Sequence, residues 1–131
     1  GRRAQPWMPD VGIDIIEISR IEEAYKLQGQ KFLDRIYTKA ELKYCLYRGN
    51  YNFASLAVRF AAKEAVAKAF GTGIRGFTWL DIEVVRDALG KPSIILHGKA
   101  KEVNAKQKVK HIQISLSHNH HSAVANAFLE K

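Results

Sequence analysis

Two acids stand among apolar neighbours and invite a chemical reading. From Phe53 to Phe70 the chain is rich in alanine and free of Gly and Pro until Gly71, which predicts a helix closed by a left-handed glycine. At 3.6 residues per turn Phe53, Leu56, Ala57, Phe60 and Ala67 gather on one side, and Glu64 falls within the same stripe. A carboxylate placed there is neutralised by protonation, by Lys68 one turn later, or by a metal. A plain Glu64–Lys68 helix ion pair is the simplest solution. Asp14 opens the other, because two carboxylates from separate elements, completed by water and substrate phosphate, suit Mg²⁺. The distance between the two acids along the chain has no diagnostic spacing of its own.

Around that helix lies chemistry for holding anions. Arg59, Lys63 and Lys68 sit on it, and Gly71-Thr72-Gly73-Ile-Arg-Gly76 follows it. Glycines let backbone N–H groups approach a phosphate, and the cations supply charge. The segment follows a helix and lacks a Gly-Lys-Ser/Thr ending, so it is not a P-loop, and a simple helix-stop loop is the competing reading. A second polar cluster, Ser115-Leu-Ser117-His118-Asn-His120-His121, falls between two strand-like runs. Zinc is a poor fit because no cysteine accompanies the histidines. A turn presenting His118 to a substrate fits better, with a solvated, inert turn as the alternative.

The elements that must carry these residues are legible in outline. Val11 to Ile16 alternates and is β-branched, which predicts a strand with Val11, Ile13 and Ile15 on one face and Asp14 on the other. Ile18, Ile21 and Tyr25 mark a helix stopped near Gln28-Gly29, and a short helix follows. Thr38 and Glu41 have capping-box spacing, with Leu42, Cys45 and Leu46 expected to face inward. Further on come a strand from Asp81, a turn near Leu89-Gly90-Lys91, a strand from Pro92, a basic helix over about 99–108, and strands over His111–Ser117 and Ser122–Phe128. Helices come mostly first and strands mostly last, which favours an α+β class with a largely antiparallel sheet packed with helices around one long central helix.

Composition bounds the partners. The chain has 131 residues, with 21 Lys+Arg against 13 Asp+Glu and a formal charge of +8, so anionic partners are favoured. Residues 1–7 read as an expression-tag remainder and 8–131 as one domain. One cysteine, Cys45, gives no disulfide framework and points to a reducing, cytoplasmic setting. No apolar run approaches the roughly 20 residues needed to span a bilayer, so no membrane partner is expected.

Four segments in this order resemble the holo-acyl-carrier-protein synthase family, the small bacterial type of 4′-phosphopantetheinyl transferase. They are Gly12-Ile-Asp14-Ile-Ile-Glu17, then Arg59-Phe-Ala-Ala-Lys-Glu64-Ala-Val-Ala-Lys68-Ala-Phe-Gly-Thr-Gly73, then Gly90-Lys-Pro92, and Ile114-Ser-Leu-Ser-His118. The resemblance runs from about residue 9 to the C-terminus and implies the 4′-phosphopantetheinyl transferase-like fold. It implies transfer of 4′-phosphopantetheine from coenzyme A to a serine of apo-acyl carrier protein, with release of adenosine 3′,5′-bisphosphate. Mg²⁺ would be held by Asp14 and Glu64. Lys68 and His118 would join them in the chemistry, and Arg59, Lys63, Lys68, Gly71, Thr72, Gly73, Ser117 and His118 would hold coenzyme A. Arg20, Lys31, Phe32 and Arg35 would dock the carrier, and the chain would assemble as a homotrimer with active sites at subunit interfaces. The group that removes the serine proton stays open between Glu64, a metal-bound water and a water held by His118. The ending Ser117-His118-Asn119 departs from the family's usual Ser/Thr-His-Thr/Ser, and Phe77-Thr-Trp79 replaces a variable stretch.

Two other readings compete. The charge, the Lys99–Lys110 stretch and five tyrosines would suit a small nucleic-acid binder, although this leaves Glu64 unexplained. The same two acids could also serve a Mg²⁺-dependent phosphohydrolase.

Overall fold

The computed structural model describes residues 10–71 and 76–131. The expectations for residues 1–7, Thr72 and Gly73 therefore lie outside the described residues. In chain order the elements are β1 (Asp10–Glu17), α1 (Ile18–Gln28), α2 (Gln30–Ile36), α3 (Lys39–Cys45), β2 (Leu46–Tyr47), β3 (Asn50–Tyr51), α4 (Phe53–Ala69), a 3-10 turn (Trp79–Asp81), β4 (Ile82–Arg86), β5 (Pro92–Leu96), α5 (Gly98–Lys106), β6 (His111–His118) and β7 (Ser122–Glu130). The class is α+β, and every strand pairing described is antiparallel.

The main sheet has the order β1-β7-β6, so the last strand lies between the first and the sixth. Its register sets Gly12 opposite Ala127, Asp14 opposite Ala125 and Leu116 also opposite Ala125. One face, carrying Ala123, Ala125, Ala127, Leu129 and Ile114, is buried. Helix α4 packs on that face through a side made of Ala61, Ala62, Ala65 and Ala69, residues small enough to bring backbones close. The helix starts where Asn52 accepts a hydrogen bond from the Ser55 N–H at 3.0 Å, and it ends before Gly71 at φ 79°. A second core, with Leu33, Ile36, Tyr37, Leu42, Cys45 and Leu56, joins α1–α3 to the first half of α4.

The structure departs from expectation at one apolar site, and at β1 it decides a face that the alternation left open. Leu46 was expected inside, but the helix ends at Cys45 and Leu46 starts a two-residue strand, leaving it exposed. The predicted alternation of β1 holds, yet its apolar set faces outward: Val11, Ile13 and Ile15 are 53%, 61% and 69% exposed, while Gly12, Asp14 and Ile16 face α4. The polar member of the strand therefore points into the fold.

Candidate active site

Gly12 sets the crossing of β1 over α4. A Cβ at this position would lie 1.9 Å from the Ala65 carbonyl oxygen and 2.7 Å from the Ala69 nitrogen, so no larger residue allows this approach. Two residues along the same face, Asp14 reaches the last turn of the helix. There the Lys68 ammonium donates to Asp14 Oδ1 at 2.8 Å and to the Ile13 carbonyl oxygen at 3.3 Å. The helix ion pair with Glu64 is thus not the contact Lys68 makes.

Glu64 lies one turn before Lys68 and is half-buried. Burial raises its carboxyl above the ordinary carboxylate value, the neighbouring Asp14 charge raises it further, and Lys68 pulls it back in part. Lys68 is raised, first by its hydrogen bond to Asp14. Two carboxylates that feel each other's charge across one ammonium form a site that a divalent cation would relieve. Among the described residues no three His, Cys, Asp or Glu side chains converge as metal ligands. A cation at Asp14 and Glu64 would therefore complete its shell with water and substrate oxygens, which is the habit of Mg²⁺.

His118 ends β6 on the face that carries Leu116 and Ile114, the same face as Asp14. It pairs with Ala123, whose other partner is Ile16. Strand spacing places it about 10 Å across and about 7 Å along from Asp14, a separation that a diphosphate with an attached arm can bridge. Its ring is exposed, with Nδ1 3.3 Å from the Asn119 carbonyl oxygen. Ser117 alternates to the opposite face of the sheet and is not brought beside Asp14 within the chain.

The three cations of α4 diverge. Lys68 is at the site, but Lys63 is fully enclosed on another flank, and the expectation that it binds an anion is corrected. Its three N–H groups go to Glu41 Oε1 at 2.8 Å, the Trp79 carbonyl oxygen at 3.0 Å and the Ile82 carbonyl oxygen at 2.5 Å. No donor is left for a phosphate. Burial lowers its pKa and Glu41 opposes that shift. Arg59 is also buried; Nη1 donates to the Ser55 carbonyl oxygen at 3.1 Å and to Ser55 Oγ at 2.9 Å, and the guanidinium lies 4.3 Å from the Tyr44 ring centre. Its Nε is buried without a partner.

Arg20, Lys31 and Arg35 are exposed on α1 and α2, with Phe32 half-buried against the second core. Arg35 donates to Gln28, tying the end of α1 to α2. The sequence reading missed the partner of Lys63. Thr38 and Glu41 announced a helix cap, and Glu41 does fill it, but the same carboxylate also receives Lys63 and the Val84 N–H.

Comparisons with known proteins converge on one family. Residues 10–125 match the model of the 4′-phosphopantetheinyl transferase superfamily. Holo-[acyl-carrier-protein] synthase of Moorella thermoacetica is 48% identical over 123 residues, covering 94% of each chain. The crystal structure of holo-[acyl-carrier-protein] synthase from Neisseria meningitidis is similar with a TM-score of 0.84 and 36% identity, covering 93% of this chain and 98% of that one. The Helicobacter pylori enzyme in complex with coenzyme A is similar with a TM-score of 0.80 and 32% identity, over 92% and 99% of the chains.

Proposed function

The chain belongs to the 4′-phosphopantetheinyl transferase superfamily, and from that premise we propose that Asp14, Glu64 and Lys68 form the centre of a Mg²⁺-dependent site at the junction of β1 and α4. The protein is an enzyme that transfers 4′-phosphopantetheine from coenzyme A to a serine of apo-acyl carrier protein. The observation that carries the site assignment is the 2.8 Å contact of Lys68 with Asp14, made beside a Glu64 whose carboxyl is raised by burial and then by that same acid.

The serine oxygen forms a bond to the β-phosphorus as its proton passes to a base at the site, and the bond from that phosphorus to the bridging oxygen breaks, releasing adenosine 3′,5′-bisphosphate. Negative charge grows on the bridging oxygen and the leaving phosphate. Lys68 is half-exposed at the mouth of the site, where its ammonium can leave Asp14 and neutralise that charge. Asp14 and Glu64 would hold Mg²⁺, which when bound screens the pyrophosphate oxygens. His118, about two strands away on the same face, would meet the phosphopantetheine side of the pyrophosphate. The family resemblance assigns the nucleotide phosphates to Arg59 and to the glycine-rich segment that begins at Gly71. Arg20, Lys31, Phe32 and Arg35 offer cations beside an apolar anchor to an acidic carrier, which speeds encounter.

A homotrimer with shared active sites fits the outer face of the main sheet. Val11 pairs across from Phe128 and Ile15 from Val124, and with Ile13 they form an apolar surface that α4 does not cover. Ser117 lies on this outer face and would meet substrate held by a neighbouring copy. Incubation with apo-carrier, coenzyme A and Mg²⁺ tests the whole reading by intact mass. One phosphopantetheine added to the carrier, and none with EDTA, is the expected result. Free phosphopantetheine without carrier modification would point to a hydrolase instead.

A further inference from the structure

Where α4 crosses β1 the contact is made by small side chains: Gly12 meets Ala65 and Ala69, and Ala61, Ala62, Ala125 and Ala127 belong to the same core, with larger residues such as Val66, Phe70 and Leu129 completing it. Small side chains allow close approach but add little directional preference for the rotation of the helix about its axis. Rotation matters here, because side chains extend about 5–6 Å from the axis, and a turn of only ~20° moves their ends by ~2 Å. Such a shift would change how Glu64 and Lys68 are presented to Asp14, whose contact with Lys68 is 2.8 Å.

On another flank α4 carries Lys63, the residue directly before Glu64. Its ammonium and the Glu41 carboxylate are both 0% exposed and 2.8 Å apart. Glu41 Oε1 accepts from Lys63 and from the Thr38 N–H at 2.8 Å, and Oε2 accepts from the Val84 N–H at 2.8 Å. Lys63 in turn fastens to the Trp79 and Ile82 carbonyl oxygens. One network thus joins the start of α3, the middle of α4, the 3-10 turn and β4. Its bonds are directional and all its partners are satisfied, whereas packing alone would be served as well by apolar residues of the same size. Lys63 projects about 100° round the helix from Glu64 and about 140° from Lys68, so holding it fixes where those two point.

We propose that Lys63 and Glu41 are positioning residues that set the rotation of α4 and thereby present Glu64 and Lys68 to Asp14. The inference rests on the metal-site reading above. Its test uses the full chain with coenzyme A and Mn²⁺ as the probe, with metal binding read by electron paramagnetic resonance beside the melting temperature and the kcat and KM of transfer. Glu41→Leu/Lys63→Met replaces the pair by apolar residues of similar volume. It is expected to melt below wild type, because the Thr38 and Val84 N–H groups and the Trp79 and Ile82 carbonyl oxygens lose these partners, and to bind Mn²⁺ about 10- to 100-fold more weakly at temperatures where it is folded, the range for a lost supporting contact. kcat falls while KM for coenzyme A changes less. Glu41→Asp keeps both charges and shortens the reach by one methylene; it is expected to fold and to weaken Mn²⁺ binding several-fold. Wild-type Mn²⁺ affinity in whichever of the two variants folds overturns the proposal. Glu64→Gln is the control: if it still binds Mn²⁺ as wild type, the metal-site reading fails, independently of the pair.

Discussion

Lys68 reaches across to Asp14 on the first strand at 2.8 Å and bypasses Glu64, the acid one turn earlier on its own helix. A cation that could have closed a local helix pair instead joins two elements 54 residues apart. Glu64 is left with a raised carboxyl and no direct ion pair among the described residues.

Glu64→Gln keeps the volume and removes the charge. Transfer is expected to fall by about 10²–10³-fold or more, the scale for losing one charge-stabilising group, with the circular dichroism spectrum unchanged. The same variant should be no less stable than wild type at pH 7. A raised folded pKa means that Glu64 contributes stability in its protonated form below the ordinary value of 4.5, and this is lost as pH rises through the raised value. Gln mimics the protonated form, so the two melting temperatures should converge as the pH is lowered below 4.5.

Metal binding should follow the ionisation of Glu64. Lys68 draws its pKa down, so Lys68→Gln raises it further. The acid limb of a Mn²⁺ binding profile is therefore expected at higher pH in Lys68→Gln than in wild type. A limb that stays in place would show that Glu64 does not control the site.

Gly12→Ala tests the seam. The added methyl would press on the Ala65 and Ala69 backbone, and main chain cannot swing aside as a long side chain can. Destabilisation of at least about 1–3 kcal/mol in urea denaturation is expected, together with weakened metal binding because β1 is pushed away from the helix. Wild-type stability would mean that β1 moves freely.

Ile13→Lys places a charge in the centre of the apolar outer face. Light scattering is expected to report the proposed trimer for the wild type and a monomer for the variant, with transfer reduced alongside. A trimer that persists with this substitution would locate the interface elsewhere.

Arg20→Glu addresses the carrier face. The KM for the acidic carrier is expected to rise about tenfold or more, as for loss of a steering charge, with the KM for coenzyme A nearly unchanged. Equal changes in both would remove α1 from the docking surface.

What could be read from the sequence was local. The alanine-rich run and Gly71 define α4 because each acts within a turn of its neighbours. The Thr38–Glu41 capping box and the alternation of β1 are local in the same way. Alternation determines which residues share a face, but tertiary packing decides which face is covered, so the outward position of Val11, Ile13 and Ile15 and the inward position of Asp14 emerged only in the folded chain. The motif residues Asp14, Glu64, Lys68 and His118 could be named in advance; that Lys68 chooses Asp14, and that His118 lies on the same sheet face, depended on the β1-β7-β6 order. Lys63 marks the boundary most sharply. Beside Glu64 and Lys68 it resembled another phosphate ligand, and only the three-dimensional structure showed its charge turned to Glu41, because an ion pair between residues 22 apart leaves no periodic trace and is set by how the helices α3 and α4 meet.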